Sequence, residues 1–137
     1  MKLKRHKHID NFYLTAKDIA SMIHSVTCRI PRPDGSPVAE WNNISEVSKE
    51  MAYRAVRDIY ASEPRSAEEL HELWMNLKLE EGWVCGDFSV ALKTHPCIVH
   101  FNDLPPSEIC KDYIWSALTE AFRQFYTDED TDSVLGL

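Results

Sequence analysis

The sequence predicts a mainly α (α+β) domain, a compact bundle of about four helices with one short β-hairpin or irregular β element. Three observations predict it. Apolar residues recur at three- and four-residue spacing in four separate stretches, each opened by a Ser, Thr or Asn. From Trp83 to Phe101 that period gives way to short runs that suit strands, with a glycine between them. The chain has 137 residues, 44% hydrophobic and 27% charged, the size and composition of one domain with a single core.

Thr15 with Asp18 reads as a capping arrangement before Ile19, Met22, Ile23 and Val26, the expected inner face of a first helix. The stretch RIPRPDGSP holds three prolines and a glycine and predicts a turn-rich loop, with Trp41 just after it. A second helix is expected from Asn43 or Ser45 to about Ala61, with Val47, Met51, Ala55 and Ile59 inward. Pro64 ends that connection. Ser66 and Glu69 have the spacing of a capping box and open a third helix with the stripe Leu70, Leu73, Trp74 and Leu77. Gly82 stands where a C-terminal cap is needed. Trp83, Cys85 and Cys97-Ile98-Val99 suit short strands, with Gly86 at a bend. Asn102 to Pro106 is a turn. Ser107 is expected to cap a last helix with Ile109, Tyr113, Ala117, Leu118, Ala121 and Phe125 inward.

The formal net charge is -7, with Lys2, Lys4, Arg5 and Lys7 near the start and Asp128, Glu129, Asp130 and Asp132 near the end. This split reads as a basic arm over 1–14 and an acidic tail over 127–137, both solvated. An acidic total argues against long nucleic acid as a partner. No run of about 18 apolar residues predicts a membrane span. The basic start is not followed by an apolar signal segment, so a cytoplasmic protein is expected, and Cys28, Cys85, Cys97 and Cys110 read as free thiols.

Four chemistries compete for the C-terminal half. His95-x-Cys97 is too tight for the usual zinc spacings, so no metal or other cofactor is expected. An extended segment places His95 and Cys97 on one face, as a Cys/His nucleophile needs, but no oxyanion hole or hydrolase motif accompanies them. With four glycines in the chain, neither phosphate-loop nor dinucleotide fingerprint is present. The fourth chemistry is an aromatic ligand cleft. Trp41, Trp74 and Trp83 offer flat stacking surfaces. Lys78 lies one helical turn from Trp74, and Lys93, Thr94 and His95 offer a cation and donors. The competing reading is that the tryptophans simply fill the core.

The order of these motifs resembles the ryanodine-receptor repeat, the RyR domain. The resemblance rests on His71-Glu-Leu-Trp74, Gly82-Trp83-Val-Cys-Gly86, Lys93-Thr94-His95-Pro96-Cys97-Ile98-Val99, Phe101 and Leu104-Pro105. Its core covers 66–122 within a domain of 15–126. The upstream layout is similar to small stand-alone bacterial and phage members. The family usually has Tyr where Cys85 stands, Pro where His100 stands, and a charged link where this chain has Asp-Phe-Ser-Val-Ala-Leu.

The resemblance implies an RyR-repeat-like fold and a ligand-binding module. In the channels a cleft between paired repeats holds an adenine nucleotide between aromatic rings. For free-standing members it implies nucleotide-signal sensing or sequestering in phage–host conflict. The expected site is Trp41, Trp74, Lys78, Trp83, Lys93, Thr94 and His95, with a nucleotide-like small molecule as partner and no catalysis. Because the motif set occurs once, a homodimer is expected to complete the cleft, against a monomer whose first two helices replace the second repeat. The alternative function is a protein–protein interaction module with no small ligand.

Overall fold

The computed structural model describes residues 12–128. The chain forms α1 (Ala16–Thr27), α2 (Glu46–Ser62), α3 (Ala67–Glu80), β1 (Val84–Cys85), β2 (Thr94–His95) and α4 (Pro106–Phe122). Single 3-10 turns lie at Trp41–Asn43, Phe101–Asp103 and Arg123–Phe125. The fold is therefore mainly α, four helices with one small β element. Among the described residues no helix is long and apolar enough to cross a membrane.

α1 begins in a full capping box. The Thr15 hydroxyl accepts from the Asp18 amide at 3.1 Å, and the Asp18 carboxylate accepts from the Thr15 amide at 3.0 Å. Its buried line runs through Ala16, Ile19, Ala20, Ile23 and Thr27. Val26, expected on this face, is exposed instead, because the line advances by four residues from Ile23 and reaches Thr27.

α2 is capped by Ser45. It serves two neighbours, which the single predicted face did not anticipate. Tyr53 and Val56 are buried toward α1, while Met51, Ala55 and Ile59 line a cavity beside α3. Val47 is exposed, a correction to the expected face. The helix ends at Glu63 in the left-handed region (φ 52), just before Pro64.

α3 is capped by Ser66, whose hydroxyl accepts from the Glu69 amide. The reciprocal bond of a capping box is diverted: the Glu69 carboxylate accepts from the Arg65 amide at 2.7 Å. At the other end Gly82 takes φ 91. Its amide donates to the Leu79 carbonyl, and the Trp83 amide donates to the Lys78 carbonyl, the paired bonds of a Schellman cap.

The β element is a parallel pair, not a simple hairpin, with Val84 opposite Thr94 and Cys85 opposite His95. Between the strands the chain reverses at Val90 to Lys93, and Ser89 bridges Thr94 in the antiparallel sense. Gly86 is needed here because a Cβ on it would lie 3.2 Å from the Thr94 Cβ. The expected strand at Cys97-Ile98-Val99 does not form; the chain turns there after Pro96.

α4 starts with Pro105 at the N-cap and Pro106 at the first helical position, so Ser107 is not its cap. Its inward line is Trp115, Leu118, Thr119 and Phe122, and the expected Tyr113, Ala117 and Ala121 are exposed. Thr119 is tolerated inside because its hydroxyl donates to the Trp115 carbonyl, while its own carbonyl accepts from the Tyr60 hydroxyl, each at 2.7 Å.

Two cores result. One surrounds α1 and contains Leu14, Ile19, Ile23, Trp41, Tyr53 and Val56. The other is a small cluster of Ala67, Phe101 and Leu104. Leu14 joins the two ends of the fold: its amide donates to the Phe125 carbonyl at 2.8 Å, and its carbonyl accepts from Thr127 at 2.9 Å. Most of the expected basic arm and acidic tail lies outside the described residues.

Candidate functional site

α2, α3 and α4 do not close on one another completely. They leave a cavity of about 300 Å³, bounded on one side by His95 and Cys97. Its middle is apolar: Met51, Ala55 and Ile59 from α2, Leu70, Leu73, Trp74 and Leu77 from α3, and Trp115 from α4. Charged groups gather toward two ends of α3. One set is Lys78 and Glu81 with Arg54 and Asp58 of α2, in which Arg54 pairs with Glu81. The other is His71 with Glu108, Lys111 and Asp112 of α4, in which Lys111 pairs with Glu108 at 3.1 Å. His71 and Lys78 are seven residues apart on one helix, a rise of about 10 Å.

Trp74 stands between the two sets. The His71 ring is 5.6 Å from its centroid and the His95 ring 4.9 Å, the latter edge-on. His71 is buried, and its Nε2–H donates to the Val99 carbonyl at 2.7 Å. Its Nδ1 then faces Asp112 Oδ2 at 3.4 Å, an ion-pair distance without the geometry of a formed hydrogen bond. Burial alone lowers the His71 pKa, but Asp112 and the Val99 carbonyl outweigh it and hold the ring above its ordinary value. His95 goes the other way. Burial, with the charges of Lys78 and His71, pushes it down to about 4. Its Nδ1 accepts from the Cys97 amide at 3.0 Å, so Nε2 carries the ring proton.

The structure brings together three of the seven expected site residues. Trp74, Lys78 and His95 line the cavity. Trp83 does not; it is buried under Lys78, whose Nζ lies 4.8 Å from the indole centroid. Trp41 belongs to the α1 core, against Tyr53 and His24, both at 5.7 Å. Lys93 ties the loop to α3, its Nζ donating to the Glu81 carbonyl at 2.9 Å. The Thr94 hydroxyl donates to the Asp87 carbonyl. Cys85 and His100, the two positions expected to depart from the family pattern, are exposed and outside the cavity.

Sequence reasoning missed Arg54, Asp58, Glu108, Lys111, Asp112 and Trp115. The available signal was charge at the i, i+4 steps Arg54–Asp58 and Glu108–Asp112 on faces that otherwise read as solvated.

The Cys/His chemistry finds little support here. Burial, with the Glu108 and Asp112 carboxylates, pushes the Cys97 thiol up to about 12, so it stays protonated at neutral pH. His95 is engaged by the Cys97 amide, not by the thiol. Among the described residues no group of three His, Cys, Asp or Glu side chains could hold a metal ion.

A family model described as the RyR domain matches residues 52–127. The matched span begins inside α2 and takes in every cavity-lining residue except Met51. It holds more than half of the chain, and the motif glycines, His71, Trp74 and His95 occupy structural positions within it that their residue types explain; the chain belongs to the RyR domain family.

Proposed function

We propose that the chain is a non-enzymatic module that binds a nucleotide-like small molecule in the α2–α3–α4 cavity, as a sensor or sequestering protein. The observation that carries this reading is the half-buried Trp74 indole on the cavity wall, with Lys78 one turn along and His95 at its edge. An apolar, partly aromatic cavity with a few polar groups is the usual form of a small-molecule site, and about 300 Å³ suits a mononucleotide. A base stacked on Trp74 contributes about 1–3 kcal/mol. At one end Lys78, beside the Arg54–Glu81 pair, supplies a cation for a phosphate.

Denaturant melts with a panel of mononucleotides test the reading. A ligand at one hundred times its dissociation constant adds about 2.7 kcal/mol of stability. Trp74→Ala is expected to abolish that gain while the protein stays folded. No stabilisation by any nucleotide overturns the proposal.

A second reading is a protein-interaction module. It is favoured by the exposed apolar residues Val84, Phe88, Val90 and Leu92 in and beside the β element, Leu92 being 76% exposed. We also propose the homodimer, in which a second copy completes the cleft beside this cavity.

A further inference from the structure

His71 and Asp112 join α3 to α4 in the cavity wall, and the atoms between them fix where a proton sits. The Val99 carbonyl can only accept, so the His71 Nε2 that meets it at 2.7 Å carries a hydrogen. The other ring nitrogen, Nδ1, faces Asp112 Oδ2 at 3.4 Å. That oxygen is buried, and no hydrogen bond among the described residues satisfies it. A neutral ring would set the Nδ1 lone pair against a buried carboxylate oxygen and leave that oxygen without a counter-charge. A doubly protonated ring removes both costs, because an N–H and a positive charge then face the carboxylate. The surroundings lean the same way. Glu72, on the same helix, adds negative charge. On α4, Glu108 and Lys111 pair with each other at 3.1 Å and largely cancel. From β2, His95 is held down at about 4 and is neutral near pH 7. The rings packed on His71, Trp74 and Phe101, carry no charge.

We infer that His71 and Asp112 form a proton-held clasp, imidazolium on carboxylate, which keeps α4 against α3 and makes this wall of the cavity sensitive to pH. Loss of the proton leaves a buried carboxylate oxygen beside a lone pair, and Asp112 relieves that conflict by moving out to water. Its side chain already keeps 20% of its exposure, so the path is short. Trp74 and Trp115 line the cavity with the pair and become more accessible as the wall loosens. The closed form is favoured below the ordinary histidine value and is lost as pH rises through the raised value of His71. The clasp does not depend on what the cavity binds.

Nitrogen NMR of the histidine rings in the whole chain, with acrylamide quenching of tryptophan fluorescence, tests the clasp from about pH 5 to about pH 10. At the acid end His71 is expected to show both ring nitrogens protonated. Quenching is expected to rise with the same midpoint at which the ring loses one proton. Asp112→Asn is expected to move both changes to lower pH. A His71 ring with a single protonated nitrogen at the acid end overturns the clasp. So does a midpoint unchanged in Asp112→Asn. Quenching that stays level while the ring titrates overturns it too, since His71 would then be a packed ring without control of the wall. The two wild-type titrations decide the matter even where the variant fails to fold.

Discussion

His71 and His95 touch the same indole and titrate in opposite directions. His71 is faced by Asp112 from α4, Glu72 on its own helix and the Val99 carbonyl, all of which favour the imidazolium. Its contribution to stability is therefore complete below the unfolded histidine value of 6.5 and is lost as pH rises through its raised folded value. Burial first, and then the charges of Lys78 and His71, favour the neutral ring of His95, against which the Trp74 and Phe88 rings pack. It opposes folding as pH falls from 6.5 toward about 4. Between pH 7 and pH 5 this amounts to about 2 kcal/mol. Denaturant melts of His95→Gln at the two pH values are expected to show that much less acid destabilisation than the wild type. Equal acid sensitivity would show that the buried ring is not the titrating group. For His71→Gln the expected sign is reversed: the loss of stability is larger at pH 6 than above the folded pKa of His71.

At the scale of elements, local chemistry and neighbours act separately. Gly82 is required by its backbone, since a Cβ there would meet nothing within 4 Å while φ is 91. Gly82→Ala is expected to cost about 1–2 kcal/mol through strain alone. An unchanged urea midpoint would mean that the cap rebuilds in another conformation. The two cores also predict different responses to truncation. Ile23 is fully buried beside α2, so Ile23→Ala is expected to cost about 2–5 kcal/mol. Leu73 borders an existing cavity and is half-buried, so Leu73→Ala is expected to cost less and chiefly to weaken ligand binding. Comparable losses in the two variants would show that the space beside Leu73 is filled in solution. The helix ends were legible because caps are local: Thr15–Asp18, Ser45, Ser66 and Gly82 all act within four residues. Helix faces were less legible. α2 and α4 each meet more than one neighbour, and one apolar stripe cannot record that.

For the molecule as a whole, Leu14 ties the start of the fold to its end, and α2 supplies one wall of the cavity. Leu14 is 2% exposed and hydrogen-bonded through both backbone groups, so Leu14→Ala is expected to cost about 2–5 kcal/mol and to loosen both termini together. Hydrogen exchange at Leu14 and Thr127 would rise in step; independent exchange would refute the coupling. The proposed homodimer is tested by light scattering over a range of concentrations. A single-chain mass throughout, with nucleotide binding intact, would place the whole site in one subunit.

The sequence by itself determined the fold class, the family and the caps at Thr15, Ser45, Ser66 and Gly82, because these depend on residue type at short spacing; the cap of α4, expected at Ser107, it did not. Gly82, Gly86 and His95 hold their motif positions for reasons that are largely local: φ at Gly82, a close strand crossing at Gly86, a tautomer-fixing amide bond at His95. Only the tertiary structure decided which tryptophan lines a cavity. Trp41, Trp74 and Trp83 are chemically alike, and burial against distant partners separates them: Trp41 against Tyr53, Trp83 under Lys78, and Trp74 on a cavity wall. The same holds for Asp112. In the sequence it is one acid on a mixed helix; forty-one residues from His71, it faces that ring and lines the cavity only when α4 is laid against α3.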